Sequence, residues 1–112
     1  TAFVDAEHLV EILDNLLANA VFFNPKGEVV VVDASSESGE LRLTVRDRGP
    51  GPGDDPEIHF EPYQTSRADG TGLGLPIARA LAEVNRGSLT LEASPGEGCE
   101  ALLRLPTSSE DP

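Results

Sequence analysis

Three glycines alternate with other residues directly before a helix-forming segment, in the stretch D-G-T-G-L-G-L-P-I-A-R-A of residues 69–80. Glycine packs no side chain, so this alternation does not favour a strand. It does allow positive φ and a close approach of the backbone to a ligand. Pro76 and the residues after it favour the start of a helix. A glycine loop that leads into a helix N-terminus is typical of a phosphate site, because free N–H groups and the helix dipole attract anions.

The chain length of 112 residues suits one domain with a single core, and 38% hydrophobic with 25% charged residues is the composition of a soluble globular protein. The sequence contains no apolar run of membrane length. Cys99 is the single cysteine and cannot form an internal disulfide, so we expect a reducing, cytoplasmic compartment. Because the chain has no Met and begins T-A-F-V-D, we expect a domain excised from a longer protein, without direct membrane contact.

The net charge is −12, from eight Lys and Arg against twenty Asp and Glu. Nucleic acid binding needs a basic patch, so this charge argues against a nucleic acid partner. It also repels free nucleotide. A phosphate site in this chain must therefore rely on local donors, a divalent cation and a few arginines.

Hydrophobic periodicity predicts an α+β fold, with helices covering a largely antiparallel sheet. The segment from Gly49 to about Gly74 is rich in Gly, Pro and Asp, and its length predicts a lid or binding loop. Residues 107–112 are expected to form a flexible tail. The predicted elements are a helix over 6–22 capped by Asp5, strands over 28–33, 40–47, 88–93 and 99–105, turns over 24–27 and 35–39, and a helix over 75–85.

Two asparagines in N-L-L-A-N, Asn15 and Asn19, lie one helical turn apart. An Asn amide oxygen is a neutral hard ligand that suits Mg²⁺, which takes its other oxygens from water and substrate phosphates. The alternative interpretation is a pair of solvent-facing or capping asparagines.

Two further stretches contain groups that could bind a nucleotide. In D-R-G-P-G (47–51), the Asp47 carboxylate could accept a hydrogen bond from an exocyclic amine beside glycines that admit a flat ring, although an ordinary strand-ending turn has the same residues. In F-E-P-Y-Q-T-S-R (60–67), Phe60 and Tyr63 would hold a loop by burial and Arg67 could reach a terminal phosphate. The alternative for this second stretch is a small hydrophobic cluster under a long loop.

In order and spacing, N-L-L-A-N-A, D-R-G-P-G, F-E-P-Y-Q-T-S-R and G-T-G-L-G-L resemble the four sequence boxes of the ATP-binding catalytic domain of sensor histidine kinases. The Walker A pattern and the dinucleotide fingerprint do not fit, because no G-K-[ST] follows and no third glycine has the right spacing. The resemblance spans nearly the whole chain. It implies a Bergerat (GHKL) fold over residues 1–106, a two-layer α/β sandwich with a mixed, mostly antiparallel sheet and a long ATP lid at about 50–74.

The resemblance also implies a role for each matching residue. Asn19 would coordinate Mg²⁺ and Asn15 would support the phosphate side of the site. Asp47 would receive the adenine amine, with Gly49 and Gly51 beside the ring.

For the phosphates, the resemblance implies that Arg67 contacts the γ-phosphate from the lid. The same correspondence makes the glycine loop the remaining nucleotide-binding segment, through Gly70, Thr71, Gly72, Leu73 and Gly74. The implied cofactors are ATP and Mg²⁺. The implied partners are the acceptor-histidine dimerisation domain, expected N-terminal to Thr1, and a downstream response regulator, while the isolated domain is expected to be a monomer.

Asn15 stands where related ATPases have a Glu that activates water. An Asn cannot act as a general base, so the resemblance favours a histidine kinase over an ATPase. The alternative is a degenerate nucleotide-binding or pseudo-kinase module that signals by docking, which would follow from the departures from the family pattern at Phe22, Pro52 and Cys99. A serine kinase of the anti-sigma type is disfavoured by the same Asn15. His8 and His59 lack the flanking pattern of an acceptor histidine, and His59 is expected at the surface of the lid.

Overall fold

A computed structural model describes residues 5–61, 74–93 and 98–106 of the chain. Two α-helices lie at the start and in the second half of the sequence, and each is followed by a pair of strands. The elements are helix α1 (Ala6–Phe23), strands β1 (Val31–Glu37) and β2 (Glu40–Asp47), a 3₁₀ helix (Pro56–Phe60), helix α2 (Gly74–Val84), and strands β3 (Ser88–Ala93) and β4 (Cys99–Pro106).

The strands form one sheet in the order β1-β2-β4-β3, and all three pairings are antiparallel. Helices α1 and α2 contact each other and pack on the sheet, so that a single core lies between the helical layer and the sheet. This architecture confirms the predicted α+β class. The core contains Ile12, Leu16, Ala20, Val45, Phe60, Ala78, Ala82, Leu89, Leu91, Ala101, Leu103 and Leu105.

Helix α1 begins where the sequence predicts. The Asp5 side chain accepts hydrogen bonds from the backbone N–H groups of Glu7 and His8, at 2.8 and 3.1 Å. These bonds satisfy two of the free N–H groups of the first turn and lower the pKa of Asp5. The apolar stripe then faces the sheet, which fixes the rotation of α1 and the direction in which its asparagines point.

The first strand differs from its prediction. Strand β1 begins at Val31 and extends to Glu37, whereas the sequence predicts a strand over 28–33. Ser38 and Gly39 both have positive φ, 55° and 77°, and make a two-residue turn, so the predicted turn residues 35–37 pair with β2. Glu28 instead belongs to the preceding turn, because its N–H donates to the Pro25 carbonyl and its carbonyl accepts from the Asn24 amide.

The long loop predicted after β2 contains regular structure that the sequence pattern does not predict. Residues 56–60 form a 3₁₀ helix, and Phe60 is buried as expected. Residues 62–73, which include Tyr63, Arg67 and most of the glycine loop, lie outside the described residues, as does the predicted tail. The lid therefore stays a prediction. In the described ranges, neither helix has the length and apolarity needed to cross a membrane.

Candidate functional site

A cleft opens where the end of β2 and the beginning of β4 meet the C-terminal half of α1 and the first turn of α2. Its walls are mostly apolar, with one amide, one carboxyl and one thiol among them, which is the usual make-up of a small-molecule site. The lining residues are Leu16, Asn19, Ala20, Val45, Asp47, Leu75, Leu91, Cys99 and Ala101.

Asp47 is the buried polar group of the cleft, with 6% of its surface exposed. It is the last residue of β2, and its Oδ1 accepts a hydrogen bond from the Gly49 N–H at 2.7 Å. Burial raises the pKa of this carboxyl, while hydrogen bonds from the Gly49 and Cys99 backbone oppose the rise. A carboxylate has lone pairs for several donors, so Asp47 can accept from a ligand amine while keeping Gly49.

Two glycines permit the close backbone packing around Asp47. A Cβ on Gly49 would collide with the Phe23 carbonyl oxygen at the end of α1. A Cβ on Gly98 would collide with the carbonyl oxygen of Asp47 itself, and Gly98 also has a φ of +94°. The sequence pattern predicts a role for Gly49 but none for Gly98, because the P-G-E-G segment before β4 is typical of an ordinary turn.

Asn24 ties the end of α1 to the loop after Asp47. Its Oδ1 accepts from the Arg48 N–H at 2.8 Å, and its Nδ2 donates to the Glu28 carbonyl at 2.8 Å. Both sides of this amide are therefore used to fix the position of the D-R-G-P-G segment against the helix. The sequence predicts only a turn at Asn24, since the partner of its side chain is 24 positions away.

The two predicted asparagines differ in position. Asn19 is half-buried and lines the cleft, whereas Asn15, one turn earlier on α1 and also half-buried, is not among the lining residues of the part of the chain described. The described ranges hold no group of three or more His, Cys, Asp or Glu residues placed to bind a metal. A single amide oxygen fits Mg²⁺, because this ion takes most of its ligands from water and substrate phosphates.

The other predicted site residues divide by their location. Gly51 lies in the loop after Asp47, with a φ of +87°, and a Cβ there would approach the Gly98 carbonyl to 3.2 Å. Gly74 is the first residue of α2, and the next residue, Leu75, lines the cleft. Four further members of the glycine loop, and the arginine predicted to contact the γ-phosphate, lie outside the described residues, namely Gly70, Thr71, Gly72, Leu73 and Arg67.

Two of the residues that depart from the family pattern, Phe22 and Pro52, make specific contacts in the structure. Phe22 is 45% exposed and packs edge-to-face on Phe23, with ring centroids 5.0 Å apart. Pro52 is buried, and its carbonyl lies 2.7 Å from Nε2 of His59. His59 is thus half-buried and hydrogen-bonded, in contrast to the surface position expected for it.

Cys99 is the first residue of β4, opposite Asp47 in the sheet register. Its thiol is free and lines the cleft. Burial raises the pKa of the thiol to about 12, and the charges of Asp47 and Glu100 add to the rise. The thiolate is the reactive form of cysteine, so this cleft holds an unreactive thiol at neutral pH.

We expect Cys99 to react with iodoacetamide at pH 8 about 1,000-fold more slowly in the folded chain than in urea, since each pKa unit changes the thiolate fraction about tenfold. Because the folded-state pKa is raised, the rate should still increase with pH between 8 and 10. Mass spectrometry of the alkylated protein measures both rates. Equal rates in the folded and unfolded chain would contradict the burial of this thiol.

The sequence model of the histidine kinase-, DNA gyrase B- and HSP90-like ATPases matches residues 4–109, so the chain belongs to this family. Its relatives within the family are sensor histidine kinases. The histidine protein kinase DivJ of Caulobacter vibrioides is 39% identical over 111 residues, which cover 92% of this chain and 19% of DivJ. The chain thus spans about a fifth of the length of this curated relative.

Solved histidine kinases have the same fold. A mycobacterial sensor histidine kinase, MprB, superposes with a TM-score of 0.79 at 29% identity, covering 91% of this chain and 72% of that one. The full-length kinase ShkA, solved in complex with AMPPNP, superposes with a TM-score of 0.77 at 32% identity, covering 91% of this chain and 22% of ShkA. The family resemblance and the fold predicted from the sequence are thereby confirmed.

Proposed function

We propose that the cleft around Asp47 binds the adenine of Mg·ATP, and that the chain supplies the nucleotide-binding half of a protein-histidine kinase. The burial of the Asp47 carboxyl in a mostly apolar cleft is the observation that carries this proposal. A carboxylate is costly to bury without partners, and an adenine 6-amine would supply a hydrogen-bond donor to it. The AMPPNP complex of the similar kinase ShkA supports the same ligand class.

Each residue of the proposed site has a separate task. Asp47 would orient the base. Because Gly49 and Gly98 have no Cβ, the neighbouring backbone can pack closely around Asp47. Asn19 would contribute an amide oxygen to Mg²⁺, which neutralises phosphate charge when it is bound. Arg67 and the glycine loop over 70–74 would contact the phosphates, as the resemblance implies. Local donors of this kind matter in a chain whose net charge of −12 repels nucleotide.

The phosphoacceptor would be a histidine on a dimerisation helix elsewhere in the parent protein, with a response regulator downstream. His8 is a poor acceptor, because its Nδ1 lies 3.0 Å from the Asn85 amide nitrogen at the contact between α1 and α2. Asn15 in place of a Glu supports transfer to an imidazole over attack by water, since a neutral imidazole needs no general base.

Titration calorimetry of ATP into the chain, with and without Mg²⁺, tests the nucleotide proposal. We expect Mg²⁺-dependent binding that falls about tenfold or more in Asn19→Ala, because one metal ligand is removed. Asn85→Ala is the control, because it removes an amide at the far end of α2 and should leave ATP affinity unchanged. Asn24→Ala is unsuitable as a control, since it alters the loop after Asp47. Absence of ATP binding by the unchanged chain would contradict the proposal and favour a module that signals by docking.

Phosphotransfer is tested separately, by adding the parent dimerisation helices to the chain with γ-labelled ATP. Acid-labile, base-stable label on the added helices is the expected result, since phosphohistidine has this stability. ATP binding without any transfer would contradict the catalytic part of the proposal alone. In that case the chain would be a nucleotide-binding regulatory module.

A further inference from the structure

Arg79 of α2 joins three separate elements through one side chain. Its Nε and Nη2 donate to the Leu89 carbonyl of β3, at 3.1 and 2.9 Å. Its Nη1 and Nη2 donate to the two carboxylate oxygens of Glu57, at 2.5 and 2.8 Å. The guanidinium carbon lies 3.5 Å from the centroid of the Phe60 ring. Arg79 therefore clamps the 3₁₀ helix of residues 56–60 between α2 and β3.

The geometry of this clamp depends on arginine. A guanidinium is planar and holds five donors in a fixed fork, so it can stack on an aromatic ring while its edge serves a carboxylate and a carbonyl. The Arg79 side chain is 22% exposed, whereas that of Glu57 is 63% exposed. Ion pairs that are this open to water contribute little by themselves. The Phe60 stack and the Leu89 carbonyl are therefore expected to contribute most of the clamp's strength.

The clamped 3₁₀ helix is attached in turn to the loop that follows Asp47. His59 lies between Glu57 and Phe60, and its Nε2 is 2.7 Å from the carbonyl oxygen of Pro52. Pro52 follows Gly51 directly in the sequence, and Gly51 lies against the Gly98 carbonyl beside the cleft. A continuous set of contacts thus leads from Arg79 through the 3₁₀ helix to the loop at the proposed base site.

We propose that Arg79 is a positioning residue for nucleotide binding, which holds the loop of residues 48–53 in its base-binding conformation through the 3₁₀ helix and His59. Arg79 is not among the residues that line the cleft in the described part of the chain, so it acts without touching the base. The inference rests on the proposed function of the cleft and adds a residue to it. Loss of the clamp reduces the fraction of molecules with the loop in place, and the apparent affinity falls by that fraction.

The test measures the affinities of Arg79→Ala, Arg79→Lys and the unchanged chain for ATP and for adenosine, by NMR-monitored titration. We expect Arg79→Ala to weaken both ligands by the same factor, about tenfold, which corresponds to one strong hydrogen-bonded contact. Arg79→Lys keeps the charge but lacks the planar fork, so its loss should be intermediate. Arg42→Ala is the matched control, because Arg42 is also ion-paired but lies on β2, away from the clamp.

A second arm asks whether the effect passes through His59. In a double-mutant cycle, Arg79→Ala should weaken ATP less than about twofold when His59→Ala is already present. An undiminished tenfold loss in that background would overturn the inference, as would a loss for ATP with none for adenosine. Thermal unfolding of every variant identifies any that fails to fold, and Arg79→Lys then provides the affinity comparison.

Amide hydrogen exchange in the absence of nucleotide separates this inference from the proposed function. We expect the amides of Arg48 and Gly49, which donate hydrogen bonds to Asn24 and Asp47, to exchange about tenfold faster in Arg79→Ala, since the loop loses its attachment. If the unchanged chain binds no ATP, the proposed function fails. If the exchange of these amides is the same in Arg79→Ala as in the unchanged chain, the coupling of Arg79 to the loop fails, whether or not ATP binds.

Discussion

Asp47→Asn is expected to weaken ATP binding by about 30-fold or more while leaving the fold at least as stable. The Asn oxygen can keep the hydrogen bond from Gly49, which leaves an amide N–H₂ facing the proposed position of the adenine amine. Two donors would then meet in a buried cleft, at a cost of about 2 kcal/mol. Calorimetry with ATP measures this loss, and Asp54→Asn, an exposed acid of the following loop, controls for the change of charge.

The stability of Asp47→Asn has a predictable sign. Burial raises the pKa of Asp47, so the native state binds the proton more tightly than the unfolded state does. The ionised carboxyl therefore destabilises the fold as the pH rises through the native pKa, and this penalty is absent below the unfolded pKa. Replacing the acid with Asn removes the penalty, so the melting temperature at pH 7 should be equal or higher.

The same substitution should also change base preference. A 6-oxo purine presents an acceptor where adenine presents a donor, so the ratio of ATP to ITP affinity should fall in Asp47→Asn. Loss of ATP affinity together with a lower melting temperature would indicate a damaged fold and contradict a specific role in base recognition. An unchanged ratio of ATP to ITP affinity would contradict the placement of the 6-position beside Asp47.

Gly98→Ala is expected to destabilise the chain by about 2–5 kcal/mol. The φ of +94° costs an L-residue about 1–2 kcal/mol, and the new Cβ would also collide with the Asp47 carbonyl, which as backbone cannot move aside without disturbing β2. Urea unfolding followed by circular dichroism measures the free energy of unfolding.

Gly53→Ala separates the two contributions. Gly53 has a similar φ of +83°, but nothing lies within 4 Å of a Cβ placed on it. This control should lose only the cost of positive φ, about 1–2 kcal/mol. Equal losses in the two variants would show that the contact between Gly98 and Asp47 adds nothing to the stability of the site.

The elements that sequence predicted well are those with a face turned toward the core. Helix α1 has a stripe at helical spacing, and β2, β3 and β4 alternate, so local periodicity defines them within a residue or two. Strand β1 is exposed along its whole length, and without a buried face its register follows the turn at Ser38 and Gly39. This is why its predicted bounds were displaced toward the N-terminus.

The sequence predicts those residues of the candidate site whose type and local position suggest a ligand-binding role. Asp47 and Asn19, singled out as an acid at a strand end and an amide on the helix, both line the cleft, and their roles toward a nucleotide stay predictions. Gly98, Asn24 and Arg79 were missed because each acts through a backbone group or ring far away in sequence. No local pattern encodes which carbonyl a guanidinium will meet.

A crystal structure of the chain with Mg²⁺ and a non-hydrolysable ATP analogue would test the central claim most directly. We expect the adenine amine within about 3 Å of the Asp47 carboxylate, the usual hydrogen-bond distance, with Mg²⁺ bound by the Asn19 oxygen. A nucleotide bound outside the cleft, or a base in the cleft with its amine turned away from Asp47, would contradict the account.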